Sequence, residues 1–169
     1  MAHEYDISVA DGVTSPIPED EICSDCDLVL REEGVARDCM VSISVVDDDR
    51  IRSLNDEWRG RDAATDVISL ECERPDDPDL APGEPCELGD IVLAPTYIAS
   101  QSARFDTTPG DEFRLLLVHG MLHLLGYDHV REEDAVVMEA REDELLGMLP
   151  LDARIAPVHV TRHRVGVDE

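Results

Sequence analysis

The chain contains no lysine: all fourteen of its basic residues are arginine, set against forty aspartates and glutamates, for a net charge of −26. A surface this acidic repels phosphate at long range, so the overall field excludes general nucleic-acid binding. A polyanion can be held only where arginines gather locally. Such a lysine-free, acidic surface suits a high-salt cytoplasm, where screening shortens repulsion to a few ångströms; a biased genome composition explains it equally well. Aromatic residues are scarce at 4%. No apolar run nears the roughly 18 residues of a membrane span, so no membrane association is expected. The N-terminus, Met1-Ala-His-Glu-Tyr-Asp, lacks the basic and apolar regions of a signal peptide, which places the chain in the cytoplasm. Five cysteines, an odd number, then read as reduced thiols. Cys23-x-x-Cys26 has no second close pair to complete a four-thiolate site and reads as two cysteines on an amphipathic helix.

What the chain does have is 43% hydrophobic residues over 169 positions, enough for one core. Alternation predicts strands at 5–10, around Val41, Ile43 and Val45, at 67–71 and at 91–94. Helices are expected from Pro18 to near Gly34, after a capping Asp47 with Ile51, Leu54 and Trp58 on the inner side, and from Pro95 to about Phe105. Pro109 opens a fourth helix, and a fifth runs over 131–146 with Ala135, Met138 and Leu145 facing inward. The proline-rich, acidic stretch 73–87 reads as an exposed loop. The order β, α, β, α, β, β, then three helices, predicts an α+β domain: a small mixed sheet of about four strands covered by helices. Residues 1–149 form the expected single domain, and 150–169 a loosely ordered tail.

Three of the six histidines lie in one window, His119-Gly-Met-Leu-His123-Leu-Leu-Gly126-Tyr-Asp-His129. On a helix, His119 and His123 leave one face a turn apart. Gly126 can take the left-handed conformation that ends a helix and return His129 as a third nitrogen ligand. Three neutral imidazoles with a fourth position open suit a catalytic zinc better than a structural one. The spacing is that of the extended zincin motif H-E-x-x-H-x-x-G-x-x-H. Gly120, however, stands where those peptidases carry their general-base glutamate, so peptide hydrolysis loses its proton acceptor. Asp128 is the nearest carboxylate in sequence. It is a candidate for proton transfer, and also for orienting a histidine or capping the next helix.

The second informative stretch is Leu54-Asn-Asp-Glu-Trp58-Arg59-Gly-Arg61-Asp-Ala-Ala-Thr65-Asp66-Val-Ile-Ser69. Arg59 and Arg61 sit where a helix gives way to a loop. A helix dipole favours arginine there, and so does a phosphate clamp, since guanidinium grips phosphate oxygens with parallel hydrogen bonds.

Together these stretches resemble the YbeY family of bacterial metal-dependent endoribonucleases. The histidine window matches H-G-x-L-H-L-x-G-Y-D-H, with Gly120 part of the pattern. The arginine stretch matches L-N-x-x-[YW]-R-x-[KR]-D-x-x-T-[DN]-V-[LI]-S, and Leu88-Gly89-Asp90-Ile91 matches L-G-D-I. The family's S-F-P is Ser69-Leu70-Glu71 here. The resemblance implies a zincin-like fold and one zinc on His119, His123 and His129. It also implies Arg59 in catalysis or RNA holding; Arg61, for the phosphate clamp, and Asp128, as the catalytic carboxylate, remain candidates from the residues themselves. The implied activity is cleavage of single-stranded RNA in maturation of the 3′ end of 16S ribosomal RNA, in ribosome biogenesis and in ribosome quality control. The implied partners are ribosomal RNA and the small ribosomal subunit, with an assembly GTPase or ribosomal protein to deliver them; DNA is not among them. Rival expectations are a non-cutting assembly factor with structural zinc, a hydrolase of peptides or small amides, and simple metal storage.

Overall fold

The computed structural model describes residues 2–152; the greater part of the expected tail, residues 153–169, lies outside the described residues. Nine elements follow in the expected order: β1 (Glu4–Val9), α1 (Glu19–Glu32), β2 (Cys39–Val45), α2 (Asp48–Arg59), β3 (Val67–Glu71), β4 (Cys86–Leu93), α3 (Pro95–Arg104), α4 (Pro109–Leu124) and α5 (Glu132–Leu146).

The four strands form one mixed sheet in the order β1-β2-β4-β3. The first two pairings are parallel and β3 runs antiparallel along the edge. Alternation divides the side chains between two faces. Val41, Ile43, Val45, Ile91 and Leu93 join the main core, built with Ile22, Cys26, Val29 and Leu30 of α1, the apolar residues of α4 from Phe113 to Leu124, and Met138, Leu145 and Leu146 of α5. On the other face Ile68 and Val92 meet Ile51 and Leu54 of α2 in a smaller cluster.

Local chemistry sets the helix ends. Asp47 accepts from the Arg50 N–H at 2.8 Å and caps α2, and Thr108 does the same for α4 through the Asp111 N–H at 3.1 Å. Pro95 and Pro109 occupy first-turn positions, where the missing N–H costs nothing. The fourth helix is the axis of the fold: every residue from Asp111 to Leu122 is buried. Its one arginine, Arg114, reaches α1, donating to Asp25 at 2.7 Å and to Glu21. Beyond α5, the Asp152 N–H donates to Asp111 at 2.7 Å, which ties down the start of the expected tail.

Two expectations need correction. Strand β4 begins at Cys86, five residues before the expected start, because its pairing with β2 carries an irregularity: Met40 faces Glu87 while Val41 faces Gly89, and Leu88 is the extra residue. That bulge shifts the alternation and hides the strand from pattern reading. Gly89 is needed there, with φ of 144°, and a Cβ would collide with the Leu70 carbonyl and approach Leu124 of α4 to 2.9 Å. Trp58 is 40% exposed rather than inward. The apolar patch beneath α2 is small, and Asn55 takes the inward position beside Leu54.

All five cysteines are free thiols. Cys23 and Cys26 both lie on α1, as expected, with Cys26 fully buried in the core. Among the described residues, no helix is long and apolar enough to cross a membrane.

Candidate metal centre

The three histidines of the sequence window converge. Each offers one ring nitrogen, and these nitrogens lie within 4.8 Å of one another. The ring centroids stand 4.5 Å apart for His119 and His123, 5.2 Å for His119 and His129, and 4.9 Å for His123 and His129. The planes are steeply inclined rather than stacked, at 86°, 81° and 62°. Such edges directed at a common point suit lone pairs sharing a cation.

The loop that returns His129 is built as the glycine predicts. The Tyr127 N–H donates to the Leu122 carbonyl and the Gly126 N–H to the His123 carbonyl, both at 3.0 Å. This crossed pair ends a helix through a left-handed residue, and Gly126 has φ of 106°. A Cβ on Gly126 would also lie 2.5 Å from Nη1 of Arg74, whose side chain packs over that glycine. Asp128 is exposed, and its Oδ1 accepts from the Val130 N–H at 3.0 Å, bracing the turn around His129.

The outer nitrogens of the helical pair are engaged. Nδ1 of His119 lies 2.6 Å from Oε2 of Glu142, with both side chains buried. Nδ1 of His123 lies 3.1 Å from the Tyr127 carbonyl oxygen, to which it donates when that nitrogen carries the proton. Protons on both Nδ1 atoms leave the Nε2 lone pairs for a cation, the usual way an imidazole ligand is oriented. Burial, then the neighbouring Glu33, pushes the Tyr127 phenol pKa up, with Arg141 opposing the rise. The donor set fits a borderline-soft divalent ion such as zinc, for which imidazole is a common ligand.

Glu142 escaped the sequence reading, although a signal was present. It lies on the stripe of α5 that also carries Ala135, Met138 and Leu145, all buried, and an acid on a buried stripe needs a partner.

Gly120 faces the sheet. A Cβ there would lie 3.1 Å from Cγ2 of Ile91 on β4, so α4 rests on the sheet at the position where zincin peptidases carry glutamate. Arg59 ends α2, and Gly60 terminates that helix with φ of 69°. The Arg59 Nη1 donates to Oδ1 of Asn55 at 3.3 Å, while Asn55 Nδ2 donates to the Ala63 carbonyl at 2.8 Å. Asn55 thus links the arginine to the loop beyond it. Arg61 lies exposed in that loop.

A mixed four-stranded sheet, a buried central helix and three histidines gathered at that helix's end define a zincin-like α+β fold with a candidate metal centre. The family model "Endoribonuclease YbeY" matches residues 15–150. The protein named Endoribonuclease YbeY from Legionella pneumophila (strain Corby) is 35% identical over 149 residues, covering 88% of this chain and 91% of its own. The protein of the same name from Clostridium perfringens (strain ATCC 13124) is 42% identical over 135 residues, covering 72% and 80%. The solution structure of TM1509 from Thermotoga maritima superposes with a TM-score of 0.56 at 21% identity, covering 98% of this chain and 96% of that one, a likeness of fold. This chain belongs to the YbeY endoribonuclease family.

Proposed function

We propose that this protein is a zinc-dependent endoribonuclease specific for single-stranded RNA. It acts in the cytoplasm on the 3′ end of 16S ribosomal RNA, in ribosome biogenesis and in ribosome quality control. Family membership supports RNA cleavage. The observation that carries the metal dependence is the convergence of three histidine nitrogens within 4.8 Å. The engagement of both Nδ1 atoms supports the same reading. When bound, a zinc supplies Lewis-acid polarisation of a phosphate oxygen.

The protein's own residues do the rest. His119, His123 and His129 hold the ion, and Glu142 and the Tyr127 carbonyl fix the two helical rings. Arg59, steadied by Asn55, stabilises the charge that builds on phosphate in the transition state, and Arg61 adds a second cation for the RNA backbone. Asp128 braces the turn that presents His129. The net charge of −26 opposes RNA at a distance, so the small ribosomal subunit, with a ribosomal protein or an assembly GTPase, delivers the substrate.

The test is metal analysis of the purified protein and its three single histidine-to-alanine variants, assayed in parallel on ribosomal RNA precursor. Stoichiometric zinc and cleavage should be lost together in the variants while the fold survives. Cleavage by metal-stripped protein would overturn the reading.

A further inference from the structure

A cation other than Arg59 and Arg61 packs against the turn that carries His129. Arg74, three residues beyond β3, lays its guanidinium over Gly126, midway between His123 and His129 in the turn. Its position is defined: Nη2 donates to Oε2 of Glu71 at 2.6 Å, and Nε is buried. The side chain is nonetheless 43% exposed. A guanidinium has five N–H donors, and one bond to a carboxylate leaves capacity for an anion.

Next to it lies a hollow of about 640 Å³, within the range of small-molecule sites. Pro75 and Leu125, the chain neighbours of Arg74 and Gly126, line it together with Val35. Its far wall is steadied by Arg37, which donates to the carbonyls of Pro75, Ala81 and Glu84 and so holds the acidic loop after β3 in place. Acids also border the hollow, among them Glu33, Asp38 and Asp76. They repel phosphate from its interior, whereas the base and ribose of a nucleotide are uncharged.

Resting on the ribonuclease reading, we propose that Arg74 and this hollow form a subsite for one nucleotide flanking the scissile linkage. Arg74 takes its phosphate, and the hollow takes its base and ribose against Val35, Pro75 and Leu125. The acidic chain thereby places a cation within one turn of its metal ligands without a general basic groove.

The test uses full-length, zinc-saturated protein and single-stranded RNA oligomers blocked at the cleaved position by a 2′-deoxy, phosphorothioate linkage. The oligomers are shortened one nucleotide at a time from either end. In the wild type, loss of one particular nucleotide should weaken binding about tenfold. Arg74→Ala should weaken the long oligomer by a similar factor and the shortened one no further. The dependence of log affinity on log salt should flatten by about 0.7, the value for one phosphate contact on a single strand. Zinc content and melting temperature should not change, and Arg74→Lys should restore part of the binding. Ala36→Trp, which fills the hollow from its rim, should reduce the gain from that same nucleotide while leaving the salt dependence intact. Additive losses, or wild-type affinity in Arg74→Ala, would overturn the subsite while RNA cleavage stood. A wild type that neither binds nor cuts single-stranded RNA would overturn the ribonuclease reading, and the subsite with it.

Discussion

Glu142 of α5 holds the imidazole of His119 on α4, with 2.6 Å between Oε2 and Nδ1 and both side chains almost completely shielded from water. The contact joins two successive helices and fixes which nitrogen of His119 is left for a metal. Removing a partner of this kind typically costs about 10–100-fold in metal affinity. Glu142→Ala should therefore lower zinc affinity by that order in a competition titration with a chromogenic chelator, and Glu142→Gln, which keeps an acceptor oxygen, by less. Unchanged affinity in both variants would remove Glu142 from the site.

Arg59 stands at the end of a capped helix and is not one of the metal ligands, so Arg59→Ala should retain full zinc content. Cleavage of single-stranded RNA should fall by roughly 10²–10³, the loss expected for one donor to transition-state charge. Single-turnover kinetics at saturating RNA isolate the effect. A wild-type rate would take Arg59 out of the chemistry.

Gly120 carries a prediction about the peptidase alternative. A glutamate there meets Ile91, whose nearest carbon would be 3.1 Å from the new Cβ, and places a carboxylate against the buried sheet face. Gly120→Glu should destabilise the fold by more than about 2 kcal/mol and confer no hydrolysis of peptide substrates at saturating zinc. Denaturant unfolding beside a peptide panel reads both. A stable variant that cleaves peptides would show that the helix can lift from the sheet.

Asp25 supplies a pH dependence. Its carboxyl is pushed up from the usual 3.8 to about 6, chiefly by burial, with Arg114 opposing the rise. In this window the folded state holds a proton that the unfolded state releases. The stabilisation is complete below pH 3.8 and is lost as pH climbs through 6. Relative to Asp25→Asn, the native protein should lose on the order of 2 kcal/mol between pH 4 and pH 7. Urea midpoints across that range test it; a constant difference between the two proteins would mean that Asp25 ionises normally.

Much of this was legible in the chain. The order of the elements, the Asp47 cap, the helix start at Pro109, and the inward face of α5 at Ala135, Met138 and Leu145 all follow from periods of two and 3.6 residues and from local backbone chemistry. The early start of β4 was hidden because the bulge at Leu88 breaks the alternation on which strand reading depends. The exposure of Trp58 was hidden because the size of the apolar patch beneath α2 is a property of the sheet, not of the helix.

The histidine triad was determined by sequence alone, since its three members lie within one helix turn and one glycine-terminated loop, whose geometry is local. The spacing of the three histidines and the turn at Gly126 are local, whereas the orientation of the His119 ring is set by Glu142. The surroundings of that triad were decided only by tertiary structure. Glu142 reaches His119 because α5 packs on α4, Gly120 is required because α4 lies on Ile91, and Arg74 comes over Gly126 because the loop after β3 returns to the end of the metal helix. Short-range periodicity carries no information about which distant segments will be neighbours; burial of the shared apolar core makes that choice.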